Sequence, residues 1–380
     1  MPVVKRVLTR KTSVLGALVI AAGGVLALGL TGSGDDPTER PDSGVGQVSP
    51  PAVLEGDYLV DTGVLAARAR QARAGEEPAA SAVDAVVAFA EDALRRDPAP
   101  TAVIGTRSSS GAFSEDALAA YGLSLAWGVT GRQEYARHAA GLMDAWVTTS
   151  TDTSGTCPDS GSCHTSLILS RAAPAFVFAA DLLETSGELS ESQRGDLREW
   201  LRTVILPAAS ERTNNWGDAG TLMRLVVTRY LDDDDGFAAA VDTWRRSMDR
   251  VASGGHIPEE TRRKRKGIMY TQGALTYRLA AAEIAARHGV DLFSYRGANG
   301  ATLRDAVDYL ARYWAAPEDW PFNERVEVPA PGPLWEMAFA RWGDCAYAPI
   351  VADVRPSGDA GNAAVRWTTL THGRPLDACR

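Results

Sequence analysis

Apolar positions recur at three- and four-residue intervals along most of this chain, the spacing that puts them on one face of an α-helix. Residues 81–96, SAVDAVVAFAEDALRR, are the first clear instance, and the run stops at Asp97-Pro98 because proline cannot continue a helix. Residues 114–129 and 134–148 read as a helical hairpin closed by TGRQ, with Leu123, Leu125, Trp127, Tyr135, Ala139, Leu142 and Trp146 as its buried face. A second pair covers 166–184 and 190–209, the latter opened by Ser190 and Gln193 at capping-box spacing. The pattern then predicts helices from Asn214 to about 231 and over 237–252, 258–288 and 301–313. After a stretch rich in Pro and Trp, one more is predicted over 334–342. Strand signals are scarce: no sustained alternation occurs, and no Asn-Gly joins β-branched runs.

The prediction is therefore an all-α fold. Helices of this length with short connections pack as antiparallel neighbours. Consecutive hairpins set side by side give an α/α solenoid or a closed α/α toroid, and no fixed repeat period selects the solenoid.

Composition narrows the function. The 380 residues are 45% hydrophobic, 7% aromatic and carry a formal net charge of -9. An acidic body of this kind is not built to grip nucleic acid over a broad surface. A local basic cleft for a polyanion is still possible, and the run Arg262–Lys266 is its only dense candidate. No nucleotide-binding loop, His-rich metal motif or serine-hydrolase elbow occurs, so no cofactor and no metal are called for.

The N-terminus reads as an address. Lys5, Arg6, Arg10 and Lys11 precede about 18 uncharged, mostly apolar residues, 13–30. That is long for a signal core and close to a bilayer span. Residues 1–31 are expected to be a signal peptide or membrane anchor, 32–53 a flexible linker rich in Gly, Ser, Asp and Pro, and 54–380 the folded domain. The domain is then exported, either secreted or tethered outside, with membrane contact only through that segment. Four cysteines fit an exported protein; Cys157 with Cys163 and Cys345 with Cys379 are the expected disulfides. Oligomeric state leaves no mark in the sequence.

Candidate chemistry concentrates between Glu211 and Tyr277. RTNNWGDAG places Asn214, Asn215 and Trp216 at a helix start; one Asn suffices as a cap, which leaves the second amide for a carboxylate ligand. PEETRRKRKGIMY sets Arg263 and Tyr270 seven residues apart, two turns along one face if the helix is continuous. A guanidinium beside a phenol favours the phenolate, which suits a tyrosine that exchanges protons. Trp216 offers a sugar-stacking wall. Arg224, Arg325, Glu336, Trp320 and Trp335 are further candidates for lining a cleft.

From about 114 to 313, the chain resembles the alginate lyase family, most clearly in the Asn-Asn pair of RTNNWGDAG and in PEETRRKRKGIMY followed by AAAEIAARHGVDL. The resemblance implies an exported α/α-toroid polysaccharide lyase. It implies catalytic roles for Asn215, Arg263 and Tyr270, with Pro258 and Glu260 also in register. In that family a histidine directly follows the Asn pair, whereas this chain has Trp216. His164 and His256 are the two imidazoles available to replace it.

The expected reaction is β-elimination on a uronate-containing polymer. Asn215 and Arg263 neutralise the substrate carboxylate, so the C5 proton becomes removable. Tyr270 acts as base and then as acid on the C4 oxygen. In mannuronate and glucuronate these two groups lie on the same side of the ring, so one tyrosine can serve both, and polymers of that type are the expected substrates. Two other readings compete: a non-catalytic module that binds an acidic cell-envelope polysaccharide, and an α/α-barrel glycoside hydrolase. The hydrolase needs two carboxylates ~5–9.5 Å apart across a cleft.

Overall fold

A computed structural model describes residues 59–154, 164–356 and 364–379, apart from position 61. The expected leader, the linker and the Cys157–Cys163 pair lie outside the described residues.

The helices come in chain order as α1 (Thr62–Arg73), α2 (Ala79–Ala93), α3 (Arg107–Thr130), α4 (Gln133–Thr149), α5 (Thr165–Leu183), α6 (Glu191–Trp200) and α7 (Asn215–Tyr230). They continue as α8 (Asp234–Asp249), the single-turn α9 (Pro258–Thr261), α10 (Gly267–Arg287), α11 (Leu303–Ala315), α12 (Pro333–Trp342), α13 (Ala348–Val354) and α14 (Thr368–His372). The only ladder among the described residues is a two-residue parallel pair, Val103–Ile104 with Asp152–Thr153.

Packing order makes the architecture an α/α toroid. Helices α3, α5, α7, α10 and α12 pack in succession, each against the next. Helix α4 backs α3, α8 backs α7 and α11 backs α10. The row closes on itself because α14 packs on α12 at one end and on α1 and α2 at the other. Inner helices are therefore buried nearly all round, and their sequences are apolar all round rather than amphipathic. Helix α5 is the one described helix long and apolar enough to cross a membrane, and it is a core helix of this ring. The predicted face of the α3–α4 hairpin is buried throughout, including Tyr135 and Trp146.

Three elements differ from the expectation. Helix α3 begins two turns early, because Thr106 and Ser109 form a capping box. The helix predicted over 190–209 stops at Trp200 and continues as a π turn, Leu201–Ile205, and a 3-10 turn, Leu206–Ala208. The helix predicted over 258–288 is broken: after α9 the backbone turns left-handed at Lys264 (φ 56°) and restarts at Gly267. A Cβ on Gly267 would lie 2.8 Å from the Trp320 ring, so glycine lets the restart pack against that indole.

The disulfide expected between Cys345 and Cys379 is present and ties the C-terminus to the segment after α12.

Candidate active site

The start of α7 is fixed by contacts only its sequence permits. The Asn214 side chain accepts from the Trp216 N–H at 3.1 Å and so caps the helix. A Cβ on Gly217 would sit 1.5 Å from the Arg212 carbonyl oxygen, and one on Gly220 would sit 2.0 Å from that of Ser210. The preceding loop thus folds back against the first two turns of α7, and glycine is what allows it.

With Asn214 used as the cap, Asn215 is left to line a cleft beside α10. Its Nδ2 points toward α10, 3.7 Å from where a Gly273 Cβ would be, and its Oδ1 is buried with no hydrogen-bond partner. Its backbone N–H donates to Glu260 Oε1 at 2.6 Å. Glu260 is fully buried. Burial, with nearby Asp218, pushes its carboxyl up to about 7 against the opposing pull of the Asn215 N–H, Arg278 and Arg263. A second buried link joins α7 to α10: Arg278 Nε of α10 lies 2.9 Å from Asp218 Oδ1 of α7. Burial raises the Asp218 pKa despite that cation.

Asn215, Trp216 and Tyr270 line one cleft of about 480 Å3 together with His164 and Arg171 from the start of α5. Gln272, Thr276 and Tyr277 complete the α10 wall. The opposite wall is the segment around Pro329 and Ala330. Gln272 holds that segment: its Oε1 accepts from Gly332 N–H and Trp335 Nε1, both at 2.9 Å, and its Nε2 donates to Ala330 O at 3.3 Å. The basic run adds a clamp, since Arg265 pairs with Glu327 and accepts from its backbone N–H at 2.7 Å. Arg263 stands at the rim, with its guanidinium 4.2 Å from the centre of the Tyr270 ring, a cation–π contact. The helix break, not a continuous face, brings these two residues together.

Trp216 directly follows the Asn pair, and its surroundings are crowded. The Arg212 guanidinium lies 4.1 Å from its ring centre, and the His164 ring lies 5.5 Å away at 50°. An imidazole therefore does reach the cleft, from α5 rather than α7.

Several expected site residues lie elsewhere. His256 packs between Tyr309 and Phe322, 5.9 and 5.1 Å ring to ring, outside the cleft wall; burial lowers its pKa. Arg224 turns to a different face of α7, donating to Ala209 O and Ser210 O. Trp335 is fully buried with its indole N–H on Gln272, so it cannot stack on a sugar. Trp320 is buried as well, and Arg325 is exposed outside the cleft lining. Glu336 is sealed in the core with Arg355 and Thr369. Asn214 serves as a cap rather than a ligand. Arg171, Gln272 and Tyr277 were not among the expected residues, though each is a polar group inside an otherwise apolar helix.

Among the described residues, the cleft wall carries amide, phenol, imidazole and guanidinium groups and no carboxylate. Such a set can neutralise an anion and move a proton, and it lacks the acid pair of a glycosidase. An α/α toroid with this cleft is the construction of a polysaccharide lyase. The alginate lyase family profile matches residues 78–320, well over half of the chain, and the chain belongs to that family.

Solved structures share the fold. Alginate lyase A1-III from Sphingomonas species A1 is 18% identical, with a TM-score of 0.65 over 85% of this chain and 98% of that one. A tyrosine-to-phenylalanine variant of A1-III complexed with a tetrasaccharide is 17% identical, with a TM-score of 0.67 over 85% and 97% of the two chains. An alginate lyase from Bacteroides ovatus is 17% identical, with a TM-score of 0.64 over 84% and 99%. No curated protein matches the sequence.

Proposed function

We propose that this lyase cleaves a mannuronate- or glucuronate-type polymer by β-elimination, with Tyr270 as the proton-transfer residue. The observation that carries the reading is the convergence of Asn215 and Tyr270 on one cleft, with Arg263 stacked on Tyr270 at its rim. The Asn215 amide and the Arg263 guanidinium are the donors that receive the substrate carboxylate and the enolate-like charge that follows loss of the C5 proton. Tyr270 takes that proton and returns one to the C4 oxygen as the bond to it breaks. His164 occupies cleft space beside Trp216, so it takes over carboxylate neutralisation from the histidine missing after the Asn pair.

One tyrosine serving both steps suits substrates whose C5 hydrogen and C4 oxygen lie on the same side of the ring. Incubation with polymannuronate, polyguluronate, glucuronan and hyaluronan tests this through the absorbance of the unsaturated product. Signal on a mannuronate or glucuronate polymer is expected, and preference for guluronate would refute the assignment. Binding without product on every polymer would favour a non-catalytic module. Export is part of the proposal, supported by the basic and apolar leader and by the Cys345–Cys379 disulfide.

A further inference from the structure

A second cavity, also about 480 Å3, lies along a different face of α7. Its walls are the loop 206–213, the α7 residues Asp218, Thr221, Arg224 and Thr228, and α8 from Gly236 to Arg250. No residue lines both this cavity and the cleft. The volume is within the ~300–1,000 Å3 of ligand pockets.

Four arginines line it: Arg212, Arg224, Arg246 and Arg250. Arg224 is the most costly. Its guanidinium donates to two neutral carbonyls, Ser210 O at 3.0 Å and Ala209 O at 2.9 Å. Its one carboxylate partner among the described residues, Glu211 at 3.3 Å, is largely solvent-exposed. Burial lowers the Arg224 pKa, so the charge sits there at a cost that an incoming anion would relieve. Arg246 donates to Thr243 Oγ1 at 2.7 Å and makes no ion pair among the described residues. Arg250 pairs with Glu259. Three carboxylates share the wall: Glu211 pairs with Arg224, Asp218 faces Arg278, and Asp233 caps α8 through Gly236 N–H. Ser210, also on the wall, has a buried Oγ with no hydrogen-bond partner.

We infer that this cavity is a second, non-catalytic site for a carboxylate-bearing sugar. The carboxylate meets Arg246 and Arg224, and the ring hydroxyls meet Ser210 and Thr243. The class of sugar rests on the acidic-polymer reading above; the demand for an anion does not. The site adjoins the cleft through one contact, because Arg212 lines the cavity while stacking on Trp216 of the cleft.

Calorimetric titration of the full chain with sodium glucuronate, glucose and sodium sulfate tests the inference apart from turnover. Arg246→Ala, an exposed position, is expected to weaken one class of glucuronate site about tenfold or more, the loss of one charge-assisted hydrogen bond. Thr243→Val should weaken the same class, whereas His164→Ala, in the cleft, should leave it unchanged. Glucose should not bind there. Glucuronate binding indifferent to both Arg246→Ala and Thr243→Val would overturn the inference. Sulfate binding as tightly as glucuronate would overturn it too, by making this a site for inorganic anions. Glucuronate binding that follows Arg246, in a protein inert on every polymer, would uphold the site and refute only the uronate-lyase reading.

Discussion

The backbone N–H of Asn215 donates to the buried Glu260 carboxylate at 2.6 Å, which fastens the start of α7 to α9. Three residues beyond Glu260 comes Arg263, stacked on Tyr270. One carboxyl thus sets the relative placement of the amide, the guanidinium and the phenol.

That carboxyl makes stability depend on pH. Burial pushes it up to about 7 from an ordinary 4.5. Between these values the native state holds a proton that the unfolded chain has released. The stabilisation is full below the unfolded value and is lost as pH rises through the folded one, on the order of 3 kcal/mol in all. Glu260→Gln keeps an acceptor for Asn215 and removes the titration. The urea-unfolding free energy of wild type should therefore fall, relative to the variant, between about pH 4.5 and 7. Parallel stability curves for the two proteins would show that Glu260 ionises normally.

The Asp218–Arg278 pair ties α7 to α10 in turn, with side chains only 3% and 1% exposed. Arg278→Met strands a buried carboxylate and should cost about 3–5 kcal/mol of unfolding free energy. Adding Asp218→Leu should recover part of that loss. Simple addition of the two single effects would mean the residues act independently.

Gly217→Ala tests the loop that folds back on α7. Its new Cβ would meet the Arg212 carbonyl, which is backbone and cannot swing away. The expected result is a stability loss of at least ~1–3 kcal/mol together with lower activity, since Asn214 and Asn215 move with that turn. A stability unchanged within a few tenths of a kcal/mol in thermal unfolding would contradict the close approach.

His164 is argued to fill the role left open by Trp216. His164→Ala should then lower kcat about 100-fold, within the range for removing one preorganised donor. Adding Trp216→His should restore part of it by returning an imidazole to the α7 position. An unchanged kcat in His164→Ala would assign the ring to packing against Trp216.

Much of this was legible in the sequence, for identifiable reasons. Helices such as α3 and α4 show in the periodicity because one face of each hairpin is buried. Residues 107–113 were missed because Thr106 and Ser109 form a cap with little apolar pattern behind it. The break after α9 was hidden because a non-glycine, Lys264, takes the left-handed turn. Asn215 and Tyr270, singled out by their motifs, line the same cleft. Arg224, His256 and Trp335 lie off the cleft wall, because residue type does not reveal which face of a helix meets the cleft. Arg171 and Gln272 carried a usable signal, a polar group within an apolar helix, which periodicity alone passes over.

The central claim is that Tyr270 moves the proton in a β-elimination. Tyr270→Phe removes one oxygen and keeps the ring under Arg263. Assayed on the polymer that wild type degrades best, it should give no unsaturated product while binding that polymer within a few-fold of wild type. Product formation at a rate near wild type would contradict the account and place the proton transfer on another residue of the cleft.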